Sequence, residues 1–257
     1  MIKIIVCGCF GRMGTVVCKL AAESADMEVV AGVDIVSTGA GLTFPTYSGI
    51  SECSMDADVI IDFMPPTAVA DTLAILEYSV KRRVPLVLCT TGLPTDVEAS
   101  VKTASKKVAI LQSPNMSLGI NLLSNMLSRA ARLLYDANFD VEIVEKHHNQ
   151  KLDAPSGTAL LLANTVNDAL GGNMHIVNDR SQTHAKRSRD EIGVHALRGG
   201  SIVGEHSVVF AGLDEVIEFT HIAQSRDAFA VGALKAAKFI QGKSAGLYTM
   251  QDLINDL

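Results

Sequence analysis

The chain has no excess of positive charge, no long apolar run and no paired cysteine spacing, and each lack excludes a class of function. Its 22 Lys and Arg are outnumbered by 28 Asp and Glu, a formal net charge of −6, which excludes a sequence-independent grip on nucleic acid. An anionic ligand must therefore be met by a few cations gathered in one place. No stretch approaches the roughly 20 apolar residues needed to cross a bilayer. The opening MIKIIVCGCFG breaks into glycine too soon for a signal-peptide core. A cytoplasmic protein with neither a membrane nor a nucleic-acid partner is expected. The five cysteines, Cys7, Cys9, Cys18, Cys53 and Cys89, are odd in number and lack CxxC spacing. Buried reduced thiols are expected, and no metal site. Internal repeats and low-complexity linkers are absent too.

What is present is an ordinary globular composition: 257 residues, 48% hydrophobic and 19% charged, enough for one large domain or two modest ones. Apolar, β-branched runs at 2–6, 27–33, 58–63 and 85–89 read as buried strands, with helical spacing at 12–22 and 68–80. Strand and helix alternate without polar faces on the strands, which predicts a Rossmann-type doubly wound parallel sheet of the α/β class. After about residue 115 the character changes. A long helix is predicted over 118–135, a strand over 140–148 and a helix over 157–170. The run RSQTHAKRSRDE at 180–191 is too polar to pack and reads as a mobile loop. Strand-like runs follow at 193–197, 202–210 and 216–223, then an Ala-rich helix over 227–241. The joins Gly199-Gly200 and Gly212-Leu213-Asp214 have turn chemistry. Joins this short predict antiparallel neighbours, hence a second sheet and a second domain.

Gly8, Gly11 and Gly14 form G-x-x-G-x-x-G between the first strand and its helix. Small residues there let the backbone approach a pyrophosphate, which the helix N-terminus stabilises. The pattern alone is weak, but Asp34 ends the second strand about 20 residues on, where a carboxylate accepts hydrogen bonds from ribose hydroxyls. Ile35-Val36-Ser37-Thr38 after it contains no cation to pair a 2′-phosphate. NADH is therefore the expected cofactor, with Arg12 or Lys19 as the route by which NADPH would be held.

Residues 145–160 read EKHHNQKLDAPSGTAL. A strand period of two puts Val141, Ile143, Glu145 and His147 on one face and His148 on the other. Lys151 falls in the turn beyond. Ser156 is a good N-cap, and unengaged N–H groups at Gly157 and Thr158 are expected to cradle a carboxylate or phosphate. Titratable donors thus lie beside an anion cradle. A solvated strand end with a normally capped helix is the bland alternative, and the combination argues against it.

These motifs carry a resemblance. The chain resembles the 4-hydroxy-tetrahydrodipicolinate reductases, also called dihydrodipicolinate reductases, along essentially its whole length. The resemblance rests on Gly8-x-x-Gly11-Arg12-Met13-Gly14, Ile61-Asp62-Phe63, Thr90-Thr91-Gly92, and residues 113–121 (SPNMSLGIN). It rests above all on Glu145-x-His147-His148-x-x-Lys151-x-Asp153-Ala154-Pro155-Ser156-Gly157-Thr158-Ala159, with Arg198-x-Gly200-x-Ile202-Val203-Gly204-Glu205-His206 and Gly246-Leu247-Tyr248 later. It implies a homotetramer with a dinucleotide-binding domain, 1–117, completed by 228–257. It implies an α+β substrate-binding and oligomerisation domain over 118–227, whose mixed, largely antiparallel sheet builds the subunit contacts. Carried over, Gly8, Cys9, Phe10, Gly11, Arg12 and Met13 hold the pyrophosphate and Asp34 the ribose. Cys89, Thr90, Thr91, Ser113, Pro114, Asn115 and Met116 flank the nicotinamide. His147 and Lys151 are the catalytic proton groups. His148, Gly157 and Thr158 contact a small dicarboxylate substrate, with Arg198 helping to neutralise it. The implied reaction is NAD(P)H-dependent reduction in the diaminopimelate–lysine pathway. Cys9 departs from the family's usual alanine and is expected to narrow the loop slightly.

Two rivals remain at this stage. A two-domain aspartate or homoserine dehydrogenase shares the first domain without needing the His-His-x-x-Lys set. A non-catalytic NADH-binding redox sensor would tolerate losing Lys151.

Overall fold

The computed structural model describes residues 1–36, 42–181 and 184–257. Ser37 and Thr38, part of the cation-free run after Asp34, lie outside the described residues, as do Gln182 and Thr183 of the polar run. In chain order the elements are β1 (Ile2–Cys7), α1 (Arg12–Ala22), β2 (Met27–Val33), β3 (Thr46–Tyr47), β4 (Val59–Asp62), α2 (Val69–Arg82), β5 (Leu86–Leu88), α3 (Thr95–Ser105) and β6 (Ala109–Gln112). There follow α4 (Leu118–Asp136), β7 (Asp140–His147), α5 (Gly157–Ala169), β8 (His175–Val177), β9 (Glu191–Arg198), β10 (Gly204–Ala211) and β11 (Val216–Ala223). The chain closes with α6 (Asp227–Ile240), β12 (Gly246–Tyr248) and α7 (Met250–Asp256). Two compact units result: Met1–Leu118 with Asp227–Leu257, and Gly119–Arg226.

In the first unit seven strands run in the order β12-β6-β5-β4-β1-β2-β3, and every pairing is parallel. Ile4, Ile5, Val6 and Cys7 are fully buried, which is why β1 reads as a continuous apolar run rather than an alternating one. Val17, Ala21, Ala233, Ala237 and Leu253 from α1, α6 and α7 pack in one core. Ile75, Leu76 and Val101 from α2 and α3 pack in another. Because β2 and β4 flank β1, the chain leaves β1 towards one side and later returns on the other. That reversal opens a crevice at the carboxyl ends of the strands, where doubly wound folds bind ligands.

The second unit holds a mixed sheet in the order β11-β10-β7-β9-β8. β10 is antiparallel to β11 and β7, while β9 is parallel to β7 and β8. One face carries Val141, Ile143, Val194, Val208 and Phe210 against Leu123, Leu127, Leu162 and Val166 of α4 and α5. Burial alternates along β7 with the expected period of two. The turn at 212–214 does join antiparallel neighbours. The expectation for Gly199-Gly200 is corrected: β7 lies between β9 and β10. The glycines reverse the chain, but a turn fixes direction and not adjacency, and the link from Arg198 to Gly204 is long enough to step over one strand, roughly 10 Å across two strand spacings. The polar run 180–191 is corrected as well, because part of it is tied down. Arg187 donates to Glu142 Oε1 at 2.9 Å, Asp140 Oδ1 at 2.8 Å and the Val141 carbonyl at 3.0 Å. No helix among the described residues is long and apolar enough to cross a membrane.

Candidate active site

The loop after β1 is shaped by the lack of side chains. Gly8 has φ +75°, and a Cβ there would lie 2.8 Å from the Phe63 carbonyl oxygen. A Cβ on Gly14 would lie 2.0 Å from the Gly8 oxygen, so α1 starts directly against the loop. Gly11 is the N-cap of α1 and offers no side-chain cap, which leaves the first-turn amides suited to an anion. A cavity of about 560 Å³ is lined by Gly8, Phe10, Gly11, Arg12, Met13 and Asp34, with Phe63, Met64, Pro65 and Pro66 as its other wall. Asp34 is 9% exposed. Its Oδ2 accepts the Phe10 N–H at 2.9 Å and its Oδ1 the Val36 N–H at 3.2 Å. The glycine cradle, the strand-end acid and the cavity volume together fit a dinucleotide.

Cys9 is placed differently from the other loop residues. It is 2% exposed and belongs to the core; its Sγ lies where a Cβ on Gly32 would fall, 2.7 Å away. The thiol therefore points under the loop and does not narrow it. A separate cavity of about 310 Å³ gathers Thr90, Thr91, Ser113 and Pro114 with Gln112 and Thr249. The remaining expected nicotinamide-end residues face inward. Cys89 is buried, and burial pushes its thiol well up. The Asn115 side chain accepts the Ser117 N–H at 2.8 Å. Met116 is buried, with its carbonyl where a Cβ on Gly232 would sit. Thr90 Oγ1 lies 2.8 Å from both Asp62 Oδ2 and the Met64 carbonyl. Asp62, fully buried, is pushed up to about 6 by burial against the opposing Met64 N–H and Thr90 hydroxyl.

In the second unit the histidine stretch forms two clamps on the start of α5. Glu145 is fully buried. Its Oε2 lies 2.6 Å from His147 Nδ1, and its Oε1 accepts the Ser156 N–H at 2.9 Å. Burial alone would raise this carboxyl, but Arg198, His147 and the Ser156 N–H outweigh it and hold it below its usual range. Asp153 makes the second clamp. Its Oδ1 is 2.8 Å from Lys151 Nζ, and Lys151 together with the Gly157 N–H holds its carboxyl low. Ser156 caps α5 as expected, its Oγ accepting the Ala159 N–H at 3.1 Å. His148 is half-buried on the opposite face of the strand end from His147.

Arg198 has a buried partner that sequence spacing does not reveal. It stands beside His147 in the parallel β7–β9 register, and both terminal nitrogens clasp Glu145, at 2.8 and 2.7 Å. Its charge is paired inside the protein with Glu145. Glu145 and His206 carry the resemblance, but it assigns them no role. His206 Nε2 lies 3.1 Å from Ser156 Oγ, and its ring meets His147 edge-on with centroids 5.1 Å apart. The buried carboxylate in a strand of apolar inward positions was the available signal.

Both halves of the chain match one family. The model described as "Dihydrodipicolinate reductase, N-terminus" matches residues 2–116, and that described as "Dihydrodipicolinate reductase, C-terminus" matches residues 119–254. The chain belongs to the dihydrodipicolinate reductase family. Among curated relatives, a 4-hydroxy-tetrahydrodipicolinate reductase of Caldanaerobacter subterraneus is 50% identical, covering 99% of this chain and 98% of the relative. One of Clostridium tetani is 45% identical over 99% of this chain and 98% of its own. A solved structure of dipicolinate-bound dihydrodipicolinate reductase from Paenisporosarcina sp. has the same fold. Its TM-score is 0.81 at 24% identity, covering 98% of this chain and 99% of that one. Family membership sets aside both the aspartate or homoserine dehydrogenase and the redox-sensor readings.

Proposed function

We infer that the chain is the NAD(P)H-dependent reductase that converts (2S,4S)-4-hydroxy-2,3,4,5-tetrahydrodipicolinate to 2,3,4,5-tetrahydrodipicolinate in diaminopimelate and lysine biosynthesis. Family models matching 2–116 and 119–254 carry this reading, and the clamped imidazole and ammonium supply the chemistry it requires. When bound, the reduced nicotinamide supplies hydride. Gly8, Phe10, Gly11, Arg12 and Met13 hold the pyrophosphate, with Cys9 contributing backbone only, and Asp34 orients the ribose. Thr90, Thr91, Ser113 and Pro114 border the nicotinamide end, while Cys89, Asn115 and Met116 set the loops that carry them. The 4-hydroxyl leaves with a ring proton as water, giving the unsaturated ring that takes up hydride, and His147 and Lys151 deliver the proton that matches that hydride and counter the negative charge that builds on the ring. A substrate carboxylate engages Gly157 and Thr158 at the start of α5, with His148 at the second carboxylate.

NADH is the proposed cofactor, because the acidic Asp34 is followed by Ile35 and Val36 rather than by a cation that would pair a 2′-phosphate. We place the enzyme in the cytoplasm as a homotetramer built on the second unit. The outward face of its sheet supports that assembly, carrying Leu197, Val216 and Ile222 exposed.

The test is NADH oxidation by the purified chain with the hydroxylated ring substrate, beside aspartate semialdehyde and oxaloacetate. Oxidation with the first alone is expected; oxidation with either of the others in its place would end the assignment. Parallel NADH and NADPH titrations decide the cofactor.

A further inference from the structure

The mechanism above uses His147 but leaves unexplained why a glutamate and an arginine are buried together behind it. We propose that Glu145 is a positioning residue: one of its oxygens fixes His147 as the Nδ1–H tautomer, leaving Nε2 to exchange the proton, while the other fixes the start of α5. This rests on the reading that His147 moves the proton.

The geometry leaves Glu145 one chemical state. It is fully buried, and Arg198 bonds both of its oxygens at 2.7 and 2.8 Å. A carboxylate so paired is an acceptor only. The nitrogen 2.6 Å from it must then carry the hydrogen, and that nitrogen is His147 Nδ1. The other nitrogen is left uncovered by design of the sequence. The residue beside it is Gly204, where a Cβ would come within 3.1 Å of Nε2. Any side chain at 204 would crowd the atom that has to meet the substrate.

The neighbouring groups do not compete for this role. His206 on β10 lies edge-on to His147, engages Ser156 Oγ rather than Glu145, and is kept neutral by burial, which lowers it to about 4. Arg198 on β9, His221 on β11 and Lys151 in the following loop are the other charged or titratable groups around the pair. None of them accepts a hydrogen from Nδ1. The same carboxylate receives the Ser156 N–H at 2.9 Å, so proton source and helix cap move as one piece. Loss of Glu145 should therefore disturb the imidazole and the substrate cradle together and leave the nucleotide cavity alone.

The test is nitrogen NMR on the full chain labelled at histidine, without substrate, with His147→Asn assigning the signal. The expected result is an Nδ1–H tautomer for neutral His147 that becomes mixed, or switches to Nε2–H, in Glu145→Gln. In turnover, Glu145→Gln should lower kcat about 100-fold with the nucleotide KM unchanged. Glu145→Asp, which keeps the charge, should recover part of the rate and restore the tautomer. Should Glu145→Gln fail to fold around a lone guanidinium, Glu145→Gln combined with Arg198→Gln carries the same measurements. An Nε2–H tautomer in the parent chain overturns the proposal, as does an unchanged tautomer or kcat in the variant. The NMR arm needs no turnover, so a parent chain inactive on the ring substrate would strike the function and leave the tautomer result standing.

Discussion

The nucleotide cavity and the imidazole site solve opposite problems. The first is made by removing side chains: Gly8 and Gly14 bring backbone against backbone, and a methyl group at either meets an oxygen within 2.8 Å. The second is made by burying charge, with Glu145 and Arg198 paired behind His147. The contrast extends to titration. The first unit buries a carboxyl, Asp62, raised to about 6, and the second buries an imidazole, His206, lowered to about 4. A site made of backbone tolerates charge changes and fails on added volume. A site made of paired charges fails first when one partner of a pair is neutralised.

The contrast breaks most visibly at Lys151. Lys151→Ala should lower turnover about 1,000-fold while NADH binding, followed by fluorescence, stays within about twofold; a parallel loss of binding would merge the two sites. Next, Gly14→Ala should do the opposite. The methyl lands 2.0 Å from a backbone oxygen, so nucleotide affinity should fall about 100-fold and thermal stability by about 3 kcal/mol. The ring tautomers of the second unit should be untouched in the same NMR spectrum.

Titration sharpens the comparison at about 2 kcal/mol. Asp62 has a folded value of about 6 against 3.8 unfolded. Its contribution is complete below the unfolded value and is lost as pH rises towards 6. His206 behaves inversely, complete above 6.5 and lost as pH falls towards 4. Asp62→Asn should gain on the parent by about 2 kcal/mol between pH 4 and 7, and His206→Gln should gain on it by a similar amount in the reverse direction. Urea melts across that range read both slopes, and slopes of the same sign would refute the pairing. The smallest effect is expected at Asp34→Ala, about tenfold weaker NADH with the substrate KM unmoved. Equal losses would remove the ribose contact.

The sequence showed most clearly what local pattern controls. The glycine spacing, the acid ending β2, the alternation along β7 and the Ser156 cap all depend on neighbours within a few residues, and each stands where the pattern put it. What it hid depends on partners far along the chain. The clasp of Arg198 on Glu145 joins positions 53 apart, and Gly199-Gly200 signals a reversal without naming the strand that will slip between. Cys9 was misjudged because a loop position does not reveal which way its side chain turns. The strands β6 and β12 carried too few residues to show a period, and α3, as long as α1, carried too few large apolar side chains.

The insertion of β7 between β9 and β10 sets a timetable for synthesis. His147 emerges from the ribosome early, yet one flank of its strand is supplied by residues 191–198 and the other by 204–211. Until the first of these is made the buried glutamate has no arginine, and until the second is made the strand has an open edge. A nascent chain cut short before residue 198 therefore holds the histidine without the ion pair behind it, and one cut before 204 still lacks the strand that carries His206.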